Sequence, residues 1–257
     1  MKRMLTWSLA GLFMMGLVIL IFLPASLLAI LIEQKTGARI ALGDEQGSLW
    51  HGSAFVGTIK DGEAALTPLL AGRFSWSVSP LLLVGKVDVS LQNNEALSQP
   101  LKIIGSWRQW EISQSSVLLP AERLIALGAP LNTIRPSGQM HLSWQSLKLT
   151  VNSKGWLIDG RMQLNMTEIA SALSPVKPLG AYRLQLDWQG DQALLELATI
   201  SGPLILSGKG MIANQHLQFS GEASAQQGQQ ERLAMLLNLL GQRRQVGNKN
   251  IYALEFK

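Results

Sequence analysis

The sequence contains no cysteine, which excludes disulfide bridges and thiolate metal sites and is neutral about compartment, since an exported chain can simply avoid thiol oxidation. Histidine is nearly as scarce. His51, His141 and His216 lie far apart, and none has a second ligand at helical or hairpin spacing, so no metal centre is expected. His141 alternates with apolar neighbours and reads as a plain exposed strand residue. Motifs for catalysis are missing as well: there is no G-x-S-x-G elbow and no zinc-protease pattern. Gly57, Gly62 and Gly72 are too irregular for a phosphate-cradling loop, and the carboxylates stand singly. No catalytic residue, cofactor or metal ligand is therefore nominated, and an enzyme is not expected. The excess of positive charge is modest. The net charge is only +5 and the Lys and Arg residues are scattered, which argues against nucleic acid as a partner.

Charge of either sign is absent from one long stretch. After Lys2 and Arg3 none appears until Glu33, leaving Met4 to Ile32 apolar or weakly polar. As one helix that run would be about 43 Å long, more than the roughly 30 Å hydrocarbon core of a bilayer requires. A cleaved secretory signal has a shorter apolar region of about 7 to 15 residues and ends in paired small residues. Here Ala25 and Ala29 have Leu23 and Leu27 two places upstream, so no such site closes the segment. The reading is an uncleaved transmembrane anchor over residues 1–34, with Pro24 kinking the helix or marking its interfacial end. The Lys2-Arg3 pair places the N-terminus in the cytoplasm, against a weaker opposing bias from Lys35 and Arg39. The rest of the chain is then outside the cytoplasm.

Beyond Gly37 the sequence breaks into short alternating runs. Phe74, Trp76 and Val78 alternate with serines; Met140, Leu142 and Trp144 with His141 and Ser143; Tyr182, Leu184, Leu186 and Trp188 with Arg183, Gln185 and Asp187. Period-two alternation of this kind predicts antiparallel strands with one buried face, joined by tight turns into a meander. Three helices are expected between them: about Gly228 to Leu240, with leucines at helical spacing and Gly241 as C-cap; Pro120 to Leu127, closed by Gly128; and Thr167 to Leu173, stopped by Pro175. The last two are each followed by a Pro-x-Gly turn and a strand, at Pro136-Ser137-Gly138 and Pro178-Leu179-Gly180. That is either a weak internal repeat extending the sheet by duplication or chance recurrence of turn chemistry. The predicted fold is thus mainly β: a single N-terminal transmembrane helix plus an antiparallel, curved or groove-like sheet with a few short helices. A soft boundary near Pro130 to Pro136 divides the body into 35–132 and 133–257.

Two local features stand out. In Gly47-Ser48-Leu49-Trp50-His51-Gly52, glycines bracket a large aromatic, which predicts a structural bend at Gly47, Trp50 and Gly52, with Trp50 plugging one end of the sheet. Trp107 and Trp110 flank Arg108 close to a turn at Gly105. They are either core residues or exposed contacts for a protein or lipid partner.

The order of landmarks carries a resemblance. The N-terminal anchor, the Gly47 to Gly52 segment, Trp76-Ser77-Val78-Ser79-Pro80, Pro178-Leu179-Gly180-Ala181-Tyr182, Gly202-Pro203-Leu204 with Gly208, and the closing Leu236 to Gly241 helix with the Tyr252 to Phe256 strand resemble the type II secretion system protein N family. That resemblance spans almost the whole chain. It implies a bacterial inner-membrane protein with a periplasmic body, associated with the machinery that exports folded proteins across the outer membrane. It implies no enzyme activity, and partners among the other secretion components, in the inner-membrane platform or the outer-membrane secretin. The Gly-Ser-Leu-Trp-x-Gly segment is also similar to stretches of the AsmA-like family of anchored periplasmic β proteins. The alternative it implies is a lipid-binding or lipid-transfer module. Neither family supplies catalytic or ligand residues to transfer.

Overall fold

The structure is a computed structural model that describes residues 2–37, 40–59, 66–127, 131–153, 155–213, 216–246 and 249–256. Arg39, Gly62, Gly128 and Pro130, which entered the readings above, lie outside the described residues.

The long apolar run is two helices, not one: α1 (Lys2–Ile21) and α2 (Ser26–Thr36). Pro24 separates them, because its ring fixes φ, removes a donor and disfavours helix at the residue before it. The backbone freed by the break is taken up by the sheet: Pro24 bridges Ser48, and the Leu49 amide donates to the Leu23 carbonyl at 2.8 Å. α2 ends at Gly37, whose positive φ of 60° lets its amide return to the Glu33 carbonyl. The two helices meet different surroundings. Leu12, Met14, Met15, Val18, Ile19 and Phe22 are exposed along α1 and its end, whereas Ala25 and Ala29 are buried against the sheet. Among the described residues no helix is both long and apolar enough to cross a membrane, several α1 side chains lying outside that set.

The body is one antiparallel sheet whose strands follow one another in chain order: β1 (Ala41–Gly47), β2 (His51–Ile59), β3 (Leu66–Pro68), β4 (Phe74–Val78), β5 (Lys86–Gln92) and β6 (Leu101–Ser106). β3 and β4 share one edge of β2. Next come β7 (Gln109–Ile112) and β8 (Ser115–Pro120), which form one line, and β9 (Pro136–Trp144) and β10 (Leu147–Asn152), which form the next. Ile112 faces Leu147 and Ser115 faces Trp144, so the ladder between the two lines keeps a single register. The meander continues through β11 (Gly155–Ser171), β12 (Gly180–Gly190), β13 (Gln192–Ser201), β14 (Leu204–Ala213) and β15 (His216–Ala225). After α4 (Gln230–Leu240) come β16 (Gln242–Val246) and β17 (Lys249–Phe256), and here the order changes: β17 pairs with β15 and leaves β16 on the edge. Among the described residues no pairing joins β16 to β1, so the sheet is open.

A meander sends alternate turns to opposite rims. The turns after β1, β4, β6, β10 and β12 all fall on the rim where α1 meets Ser48 to Trp50, called here the near rim. The longer connections, around 93–100, 121–127 with 131–135, 172–179 and 226–241, fall on the far rim. Residues 131–135 belong to one of these far-rim connections, across which β8 and β9 pair.

Register fixes the two faces. Trp144, Met162, Leu186, Leu195, Gly210 and Phe219 face one another across successive strands. Beside them on the opposite face run Ser143, Gln163, Gln185, Glu196, Lys209 and Ser220. Because side chains alternate with period two, one face is mainly apolar and the other mainly polar, with Ile104, Leu118 and Leu194 as exposed exceptions on the polar side.

Two clusters cover parts of the apolar face. At the β1 end, α2 sets Ala25 and Ala29 on Leu42, Ala54 and Trp76. At the other end α4 sets Leu233, Leu236 and Leu237 on Tyr182, Leu204, Ala223, Tyr252 and Leu254. α4 and its Gly241 terminus match the sequence reading. Gly241 is extended, not left-handed, and its amide closes on the Leu237 carbonyl. The expected helix at Pro120 to Leu127 is a 3-10 helix, Ala121–Leu127, followed by a single α turn at Leu131–Ile134.

The expected helix at Thr167 to Leu173 is not formed; β11 runs through to Ser171. Thr167 and Glu168 form a bulge, with register shifts against both β9 and β12 and a φ of 53° at Glu168. Strand hydrogen bonds on both edges, together with burial of Ala170, outweigh the local cap-and-stop pattern. The two Pro-x-Gly turns start β9 and β12 on either side of this bulge. A side chain on Gly138, at φ 120°, would come within 2.7 Å of the Glu168 carbonyl oxygen.

Candidate functional site

The apolar face is the strongest candidate. α2 packs chiefly on β1, α4 on β15 and β17, and the 3-10 helix on the ends of β8 and β9. Toward the near rim, Trp144, Met162, Leu186, Leu149 and Ile158 belong to neither covered cluster. They are half-buried. The result is a stretch of apolar face, called here the trough, that lies between the surfaces covered by α2, α4 and the 3-10 helix and has no covering helix toward the near rim.

The predicted bend residues lie where the trough meets α1. Gly47 has a φ of 84°. At Gly52 an added Cβ would meet the Ser48 carbonyl oxygen at 2.7 Å as well as the Trp76 ring, so backbone and ring close on this position. Trp50 is buried, and its indole N–H donates to the Leu20 carbonyl at 2.8 Å, tying the turn to the last residues of α1. Trp76 donates in turn to the Leu49 carbonyl at 3.1 Å.

Trp107 and Trp110 separate in environment. Trp107 sits on the near rim, 61 % exposed, with its N–H donating to the Leu82 carbonyl at 2.8 Å. Leu82 belongs to a 3-10 turn, Pro80–Val84, whose Leu81, Leu83 and Val84 are exposed. Trp110 points into the trough and packs on Trp156, ring centroids 4.9 Å apart and planes at 56°. Trp156 is half exposed. The indole nitrogens of Trp110 and Trp188 are buried without a hydrogen-bond partner among the described residues. Both lie on the apolar face near the same rim. Sequence reading singled out Trp107 and Trp110 but not Trp156 and Trp188, because only strand register brings residues so distant in sequence onto one rim.

The polar face offers little chemistry. His141 is half-buried there, not exposed, and its Nε2 lies 2.8 Å from the Ser116 hydroxyl. A serine and a histidine at that distance are two parts of a nucleophilic triad. Among the described residues no carboxylate contacts the imidazole to complete it. His51 and His216 are exposed, and no cluster of metal-ligating side chains occurs among the described residues. A wide-open hollow on this face, about 840 Å³, is lined by Lys102, Gln109, Glu111, Lys148 and Thr150 together with Ile104, Trp110 and Leu149. The one resolved titration shift is structural: burial pushes the Tyr182 phenol up, and its hydroxyl donates to the Leu204 carbonyl at 3.0 Å.

No curated protein and no solved structure matches the chain. The family model for type II secretion system (T2SS), protein N, matches residues 38–251, which takes in the sheet from just before β1 into β17. With that match covering most of its length, the chain belongs to the type II secretion system protein N family and is a component of that secretion system.

Proposed function

We propose that the protein serves type II secretion as a non-catalytic component anchored in the bacterial inner membrane. α1 is the anchor, with its N-terminus in the cytoplasm, and α2 and the sheet form the periplasmic body. The observation that carries the secretion role is the family match across 38–251. The anchor is supported by the uncharged stretch from Met4 to Ile32 and by the exposed apolar side chains of α1. In this reading the body acts through protein contacts, with its polar face turned toward other secretion components in the inner-membrane platform or the secretin. Gentle extraction and crosslinking of the tagged full chain is expected to recover such a component. Recovery of the protein alone under conditions that keep the platform intact would refute the contact.

One observation favours a second role within the same system. Trp144, Met162, Leu186, Leu149 and Ile158 lie together on the apolar face outside both helix-covered clusters, and a contiguous apolar surface without a helical cover is a place where a lipid can bind. It suits an acyl chain, as in the AsmA-like lipid-binding alternative. Native mass spectrometry of the full chain released from membranes is expected to show bound phospholipid; a bare protein mass would remove this role and leave the secretion reading intact.

A further inference from the structure

We propose that the near rim is a membrane-docking edge, on which the open side of the sheet rests against the bilayer surface from which α1 emerges. The proposal rests on the reading of α1 as the anchor.

Geometry supplies the first part. α1 ends at this rim through contacts of Trp50 with Leu20 and of Leu49 with Leu23. From there the rim is continuous: the Val78 amide donates to the Trp50 carbonyl at 2.7 Å, and the 3-10 turn that follows holds Trp107 through Leu82. A helix leaving the bilayer at Leu23 therefore brings these turns to the height of the lipid head groups.

Side-chain chemistry supplies the second part. Leu81, Leu83, Val84, Trp107 and Trp156 project from three separate turns and are all exposed, Val84 by 74 %. Tryptophan is the residue most at home at the boundary between head groups and acyl chains. Two basic side chains stand beside these apolar ones. Among the described residues of the near-rim turns 48–51, 79–86, 106–109 and 190–192, the charged side chains are Lys86 and Arg108 and one acid, Asp191. Lys86 and Arg108 beside exposed tryptophan and leucine suit anionic phospholipid, each basic side chain near such a surface contributing about 1 kcal/mol.

Docking in this orientation also turns the uncovered part of the trough toward lipid. Trp110 and Trp188, with their unpartnered indole N–H groups, then lie just above the head groups, where ester and phosphate oxygens are acceptors.

The absence of cysteine makes a direct test possible in the full chain. Val84→Cys and Trp107→Cys, each carrying an environment-sensitive fluorophore, are reconstituted in vesicles of mixed zwitterionic and anionic phospholipid. Leu12→Cys reports on the anchor and Met235→Cys, 70 % exposed on α4, on the far rim. Nitroxide carried on shallow lipid positions is expected to quench the probes at 84 and 107 several-fold more than the probe at 235. Quenching at 12 without quenching at 84 and 107 overturns the rim and keeps the anchor. Quenching at 84 and 107 without quenching at 12 keeps the rim and removes the anchor. Protection of both rim probes from lipid-borne and water-borne nitroxide alike means that another protein surface covers them, and also overturns the proposal.

Discussion

Glu168→Gly separates the two structures that the segment after Met166 might adopt, because they give the substitution opposite signs. In the bulge, Glu168 holds a φ of 53°, in the left-handed region, and its residue is exposed. A non-glycine residue pays roughly 1–2 kcal/mol to stand there. Glycine removes that strain but loses about 0.5–1 kcal/mol more backbone entropy on folding than alanine does. The difference is a net stabilisation of about 0.5–1 kcal/mol. Had Thr167 to Leu173 been helical, glycine in its interior would cost about 1 kcal/mol. Thermal unfolding of the detergent-solubilised full chain, followed by the β signal in circular dichroism, reads the sign. For a chain of this size the expected shift is upward by about 1–4 °C. A fall of similar size would refute the bulge, and with it the account of why β9 and β12 begin with glycine-containing turns.

Leu233→Ala is expected to destabilise the body by about 2–5 kcal/mol, since the side chain is 0 % exposed beneath α4, while Met235→Ala stays within about 0.5 kcal/mol; urea titration of both variants checks this. Tyr182→Phe is expected to cost about 1 kcal/mol at neutral pH for the lost hydrogen bond to Leu204. The same variant should flatten the alkaline limb. Burial raises the folded pKa, so the unfolded chain loses its proton first and wild-type stability falls only as pH rises past about 10; unfolding midpoints from pH about 8 to about 11 show whether that decline depends on Tyr182. Arg243→Val with Arg244→Val removes two exposed charges from edge strand β16 and is expected to cause self-association, visible by light scattering in detergent, because charged side chains keep an open edge from pairing.

Much of this architecture was legible in the sequence. The alternation at Phe74 to Val78 and at Tyr182 to Trp188 named strands and faces correctly, since a strand with one covered face must repeat every two residues. α4 was legible from its leucines and Gly241. Pro24 was legible as a break, but not the consequence of the break. An apolar Ala25-to-Ile32 segment suits lipid and a sheet face equally, and only the sheet reveals that α2 belongs to the body. The 167–173 segment misled because cap and stop residues act locally, whereas pairing on both edges of β11 is decided by strands far away in sequence. Trp107 stood out from its neighbours Gly105 and Arg108. Its partners on the rim did not, because Leu83 and Trp156 reach it only through strand register. The trough was hidden for the same reason: each strand shows an apolar face, but which stretch of that face the helices leave open depends on where α2 and α4 settle.

Openness of the apolar face toward the near rim is tested most directly by photocrosslinking in intact cells, with a benzophenone side chain at Leu186, inside the trough, or at its neighbour Asp187, on the polar face. The expected result is an adduct of phospholipid mass at position 186 and none at 187. A position 186 that gives no lipid adduct, or the same adducts as 187, would mean that the face is closed in the cell.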